Sequence, residues 1–223
     1  MGNVRLFCYK MKDDTGFAPN PFHGFLTLAN CKPLIRKCKV EGDWIAGFTS
    51  KALNGDKVGE ERLIYLMKVT KKITYVEYWN NSDYECKKPC LDASDFEERA
   101  GDNIYKPNAK HSFGYEQIIN KNHIESDKEH DLPGKYVLVS DQFYYFGNNP
   151  LEIHQEYRPN IPKSQSGHGN RTKELDRIEL FINYVESKCP HSGMIDKPHL
   201  FYKLQKTHIQ TVLYENYIKQ ERV

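Results

Sequence analysis

The chain has 223 residues, 39% apolar and 28% charged, with a net charge of +2. This suits one large domain, or a core domain with an appendage. It excludes a polybasic nucleic-acid coat, so any anion binding must come from a local cluster, and the lack of any run of about 18 apolar residues excludes a membrane-spanning helix.

The N-terminal MGNVRLFCYKMK has no apolar signal core, and Leu6 breaks the myristoylation pattern that Gly2 begins, so a cytoplasmic protein is expected. NVRLFCYKM (3–11) alternates like a strand. The following KDDTGFAPNPFHG is dense in turn formers and reads as a loop. In FLTLANCKPLIRKC, Leu28, Cys31, Leu34 and Ile35 fall at helical spacing. Pro33 limits that helix to a turn or two, with the proline at a first helical position. Trp44 to Phe48 is a strand after the Gly42-Asp43 turn, and ALNGDKVGEE is a polar hairpin loop. RLIYLMKVTKKITYVEYW (62–79) carries the strongest β signal in the chain.

Residues 80–113 are polar and irregular, and a loop of that length in a compact domain is usually functional or disordered. A short helix is expected near 115–121. A strand is expected over 135–147, then a loop around His168. TKELDRIELFINYVESK (172–188) is an amphipathic helix with Leu175, Ile178, Phe181, Ile182 and Val185 on one face. A strand (HLFYKLQ) and a helix from His208 to Gln220 are expected to end the chain. The predicted fold is α+β, as a mixed, mainly antiparallel sheet or a small β-barrel with flanking helices and a C-terminal amphipathic helix. The expected organisation is a core over 1–170, with 171–223 packed on the same domain.

The six cysteines do not make a disulfide framework in a chain this long. Cys86, Cys90, Cys189 and His191 lack the paired spacing of zinc ligands, so no metal or other cofactor is expected. No phosphate-cradling loop, dinucleotide turn, His-Glu-x-x-His helix or nucleophile elbow is present.

The candidate residues are therefore scattered. His23, held between Pro21 and Gly24, presents an imidazole near neutral pH, and the same loop chemistry equally lets Asn20 close a turn. Phe22 lies beside it. Lys32, Arg36, Lys37 and Lys39 could grip phosphates or form a solvated helix face. Trp44 and Trp79, the latter preceded by Tyr78, could stack on a base or fill the core. Asp102, Asn103 and Tyr105 combine groups that read a base edge, or close an Asx turn. Asp141 and Tyr144 repeat the theme, and alternation puts Tyr145 on the face opposite Tyr144. His168 sits between glycines on an exposed loop. For acid–base chemistry the candidates are His23 and His168, with Asp102 or Asp141 as the carboxylate partner.

GFAPNPFHGFLTLANCKPLIR, GDWIAGF, RLIYLMKV with YVEYW, GDNIYKP and SDQFYYFG, in that order, resemble the nucleotide modification associated domain 2 family. The resemblance covers most of residues 5–170. It implies association with systems that make or handle modified bases in bacteria and phages. The layout also resembles PUA-like and EVE-type domains, whose small barrels hold a base in an aromatic-lined pocket, though fold alone does not give function. The expected role is binding a modified base or nucleotide, or nucleic acid, DNA rather than RNA, with no membrane partner. On that reading Asn20, Phe22, Arg36, Trp44, Tyr78, Trp79, Asn103, Tyr105 and Tyr144 hold the ligand. The alternatives are an enzyme using the His/Asp groups, or an interaction component of a phage-defence or DNA-modification system.

Overall fold

The computed structural model describes residues 4–118, 120–164, 167–189 and 191–200. The elements expected beyond residue 200 lie outside these. In chain order the strands are β1 (Leu6–Lys10), β2 (Leu26–Leu28), β3 (Trp44–Phe48), β4 (Leu63–Lys68), β5 (Lys71–Thr74), β6 (Tyr105–Pro107), β7 (Tyr115–Gln117), β8 (Tyr136–Ser140), β9 (Gln142–Tyr145), β10 (Asn170–Thr172) and β11 (Gly193–Met194). The α-helices are α1 (Pro33–Cys38), α2 (Lys51–Asn54), α3 (Tyr75–Asn80), α4 (Phe96–Arg99), α5 (Lys128–Asp131) and α6 (Leu175–Ser187). Among the described residues no helix is long and apolar enough to cross a membrane.

The fold is α+β. A mixed six-stranded sheet runs β10-β1-β3-β4-β9-β11, with β1/β3 and β9/β11 parallel and the other pairs antiparallel. An antiparallel sheet, β2-β8-β5, packs beside it, and β6-β7 form a separate ladder. No sheet closes into a barrel among the described residues, so the open mixed sheet replaces the barrel alternative.

Strand alternation builds the layers. Leu6 and Cys8 of β1, with Trp44 and Ala46 of β3, face Ile178, Phe181 and Ile182 of α6. Tyr9, Ile45, Ile64 and Met67 point the other way, onto Leu26 and Leu28 of β2, Ile35 of α1 and Leu138 of β8. Val137 and Val139 of β8 face outward again, onto Phe17, Tyr75, Tyr78, Tyr84 and Tyr105. Both faces of the large sheet are covered, which is why all five residues of β1 and of β3 are buried.

Four elements differ from the sequence expectation. The single strand expected over 135–147 is split at Asp141 into β8 and β9, which belong to different sheets. The strand expected to run to Trp79 breaks after β5 into α3. Thr74 caps that helix, accepting from Glu77 N–H, while the Glu77 carboxylate accepts from Thr74 N–H at 2.7 Å. This capping box outweighs the β preference of Tyr75, Val76 and Tyr78. Tyr115–Gln117 is a strand because it pairs with Tyr105–Pro107, not the short helix expected there. The loop expected after residue 50 also holds one helical turn, α2.

Gly47 of β3 lies where the register with β4 shifts, and a Cβ there would drive into the Tyr65 ring and within 2.7 Å of Met11 Sδ. Gly47→Ala should lower unfolding free energy by about 1–3 kcal/mol, read as a lower urea midpoint with an unchanged slope. An unaltered midpoint would show that this contact has room to relax.

Candidate functional site

A cleft of about 710 Å³ opens beside β1 and α1. It is lined by Tyr9 of β1 and by Met11, Phe17 and Ala18 in the segment after it. Cys31 to Leu34, at the corner between β2 and α1, form one wall, and Asn122 and His123 form the other. The backbone makes that corner sharp. Cys31 and Lys32 are consecutive residues with positive φ, 55° and 42°, which non-glycine residues adopt rarely and mainly where surroundings enforce it.

The enforcing group is Asp131. Its Oδ1 accepts the Cys31 N–H at 2.6 Å, and its Oδ2 accepts from Tyr105 OH and from His123 Nε2, each at 3.0 Å. Arg36, fully buried, holds the other side. It donates to the carbonyls of Cys31 (2.7 Å), Tyr136 (3.0 Å) and Asp131 (2.6 Å), and to Tyr75 OH. Cys31 Sγ lies 3.7 Å from the same His123 Nε2, while His123 Nδ1 contacts the Asn122 carbonyl at 2.8 Å. The ring also stacks at a tilt on Phe17. Burial pushes the His123 pKa down, but the bond to Asp131 and the neighbouring Cys31 outweigh it and hold the pKa at about 10.

Lys32 is half-buried on the cleft wall, its ammonium 4.8 Å from the centre of the Tyr9 ring. No carboxylate pairs with it among the described residues, and desolvation lowers its pKa. Lys12, Lys121 and His130 are exposed on the rim, against a single carboxylate, Asp13.

Most residues expected at a site lie elsewhere. Asn20 is buried. Its amide donates to the Ala100 carbonyl at 2.9 Å, and its Oδ1 accepts from Lys87 Nζ at 2.7 Å. Lys87 is fully buried and also donates to the carbonyls of Asn20 and Phe25. Asp102 accepts from Thr27 and Tyr78, both at 2.7 Å, and burial raises its pKa. Asn103 donates to the Tyr78 carbonyl at 3.0 Å, and Phe22 packs edge-on against Phe96. These groups bond to one another and to the chain, and none of them lines the cleft.

Trp44 and Tyr144 lie in the core under α6, with Tyr144 OH reaching Glu186 at 3.4 Å. Trp79 is half-buried beneath the Lys88 ammonium. His23, Asp141 and His168 are exposed on three separate turns. No hydrogen bond or ion pair joins either histidine to Asp102 or Asp141 among the described residues. Arg36 and Tyr105 alone of the expected site residues contact Asp131. Sequence reasoning missed Cys31, His123 and Asp131 as a group. Cys31 lies within the distinctive ANCKP stretch, yet nothing in the spacing links it to a histidine 92 residues on.

The model of the nucleotide modification associated domain 2 family matches residues 3–205, and the chain belongs to that family. No curated protein and no solved structure matches it.

The buried Lys87 network yields a pH signature. Burial lowers the Lys87 pKa from 10.5 to about 8, against an opposing pull from Asp102. Between about pH 8 and 10.5 the unfolded chain holds a proton that the folded chain has released, so this group's contribution to stability rises with pH. His123, raised to about 10, works in the opposite direction over part of that window, so the test is a difference. The stability of wild type minus Lys87→Met should climb by about 3 kcal/mol from pH 8 to 10.5, measured by urea unfolding. A flat difference would mean that the ammonium is not desolvated.

Proposed function

We propose that the cleft binds a nucleotide, with the base against Ala18, Pro33 and Leu34, above the nearly buried Tyr9, Met11 and Phe17, and the phosphate on Lys32. The carrying observation is Lys32. A charge taken out of water is normally paired, and this half-buried ammonium faces the cleft with no carboxylate partner among the described residues. A phosphate supplies that counter-ion, and Lys12 and Lys121 on the rim add to the attraction. An apolar surface suits the flat face of a base. The volume lies within the usual range for small-molecule sites, about 300–1,000 Å³. It leaves room for a substituent on the base, in keeping with the family's association with nucleotide modification. In this reading the protein binds a modified nucleotide, free or within DNA.

The test is calorimetric titration with dCMP, dTMP and 5-hydroxymethyl-dCMP, their nucleosides, and DNA and RNA oligonucleotides carrying the same bases. Lys32→Met keeps the apolar stem and removes the charge. It should weaken monophosphate binding by about 1.5–3 kcal/mol, roughly 10- to 150-fold, and lower the salt dependence by about one phosphate contact. Nucleoside binding should be unchanged. Equal loss for nucleoside and nucleotide would remove Lys32 from the phosphate. Product appearing by chromatography would turn the reading toward an enzyme.

A further inference from the structure

We propose that Cys31, His123 and Asp131 form a three-ligand site for a zinc-type divalent cation, with an open fourth position on the cleft. Their ligand atoms all lie within 4.8 Å of one another. Zinc–sulfur bonds of about 2.3 Å and zinc–nitrogen bonds of about 2.0–2.1 Å, at near-tetrahedral angles, set ligand atoms about 3.3–3.6 Å apart. The observed separations, 3.7 Å from Sγ to Nε2 and 3.0 Å from Nε2 to Oδ2, bracket that spacing.

The decisive feature is that thiol and carboxylate converge on the same imidazole nitrogen. A catalytic relay sets nucleophile and carboxylate on opposite ring nitrogens. Here one N–H would have to serve both, whereas a metal lies naturally between all three. The surroundings also match a metal centre. His123 Nδ1 meets a backbone carbonyl, the contact that fixes ring orientation in metal-bound histidines. The Asp131 carboxylate is steadied by the Cys31 N–H and Tyr105 OH. Thiolate and carboxylate supply two negative charges against the ion and the Arg36 guanidinium 3.6 Å from Asp131, and a sulfur–imidazole–carboxylate set favours zinc over magnesium or calcium. Asp131 lies wholly beneath the surface, while Cys31 and His123 line the cleft. The remaining coordination position therefore opens toward the occupant and would take one of its lone-pair donors. The bond to that donor rests on the nucleotide reading; the metal site itself does not.

The test uses the full chain and cobalt(II) as a probe, with no nucleotide present, so its failure and that of the nucleotide reading are separable. Titration should give the thiolate-to-cobalt charge-transfer band and the visible spectrum of a tetrahedral ion, saturating at one ion per chain. Zinc should displace the cobalt and protect Cys31 from alkylation by iodoacetamide in wild-type protein, mapped by peptide mass spectrometry. Cys31→Ser and His123→Ala should each weaken binding by more than the 10–100-fold typical of losing an outer partner. Cys90→Ser should leave it unchanged. Absence of the charge-transfer band in wild type overturns the proposal. So does a band accompanied by undiminished Cys31 alkylation, which needs no variant to fold.

Discussion

The pairing of Arg36 with Asp131 is the constraint on which the rest of the cleft depends. Both side chains are wholly buried, and their charged atoms are 3.6 Å apart. Such a pair costs several kcal/mol to desolvate and is worth little unless every remaining donor and acceptor is satisfied. Here the guanidinium reaches three backbone carbonyls and a phenol, and the carboxylate accepts from a backbone amide, a phenol and an imidazole. Through these bonds α1, α5, β6 and the start of β8 share one fixed origin. Cys31, Lys32 and His123 inherit their positions from it. Gly134 lies so close that a Cβ there would sit 2.5 Å from the guanidinium, so the backbone itself is shaped around the arginine.

A second buried polar cluster, around Lys87, Asn20 and Asp102, joins the irregular stretch after α3 to the loop before β2. It explains how a segment with little regular structure stays ordered: its carbonyls are answered by side chains instead of ladder partners. These residues drew attention in the sequence because recognition of a base and satisfaction of buried backbone need the same groups. An amide beside prolines and a carboxylate beside a glycine serve either purpose, and only burial decides between them.

Where secondary structure is set locally, the sequence was legible. The apolar runs of β1, β3 and β4 announce themselves, and so do Ile178, Phe181, Ile182 and Val185 of the α6 stripe, whereas Leu175 in the first turn is 50% exposed and Tyr184, outside the stripe, is buried. The break at Thr74 was legible too, in the Thr-x-x-Glu spacing, but it was masked by β-branched and aromatic neighbours. The Cys31–His123–Asp131 cluster was not legible, since it forms only when β2, α1 and α5 are brought together by packing. Lys32 stood among the basic candidates, but its lack of a carboxylate partner among the described residues is a property of three dimensions.

The place of β1, one strand in from the edge of the large sheet, also affects how the chain is made. One edge of β1 pairs with β3, soon after it in sequence, and the other with β10, where Leu6 meets Thr172. At synthesis rates of about 5–20 residues per second, that second edge lacks its partner for roughly 8 to 30 seconds. α6, which covers the same strand's face, emerges later still. Until then the nascent chain presents an apolar strand with one unpaired edge, the feature that templates unwanted association. Final assembly of the large sheet is thus a late event, waiting on the last quarter of the chain.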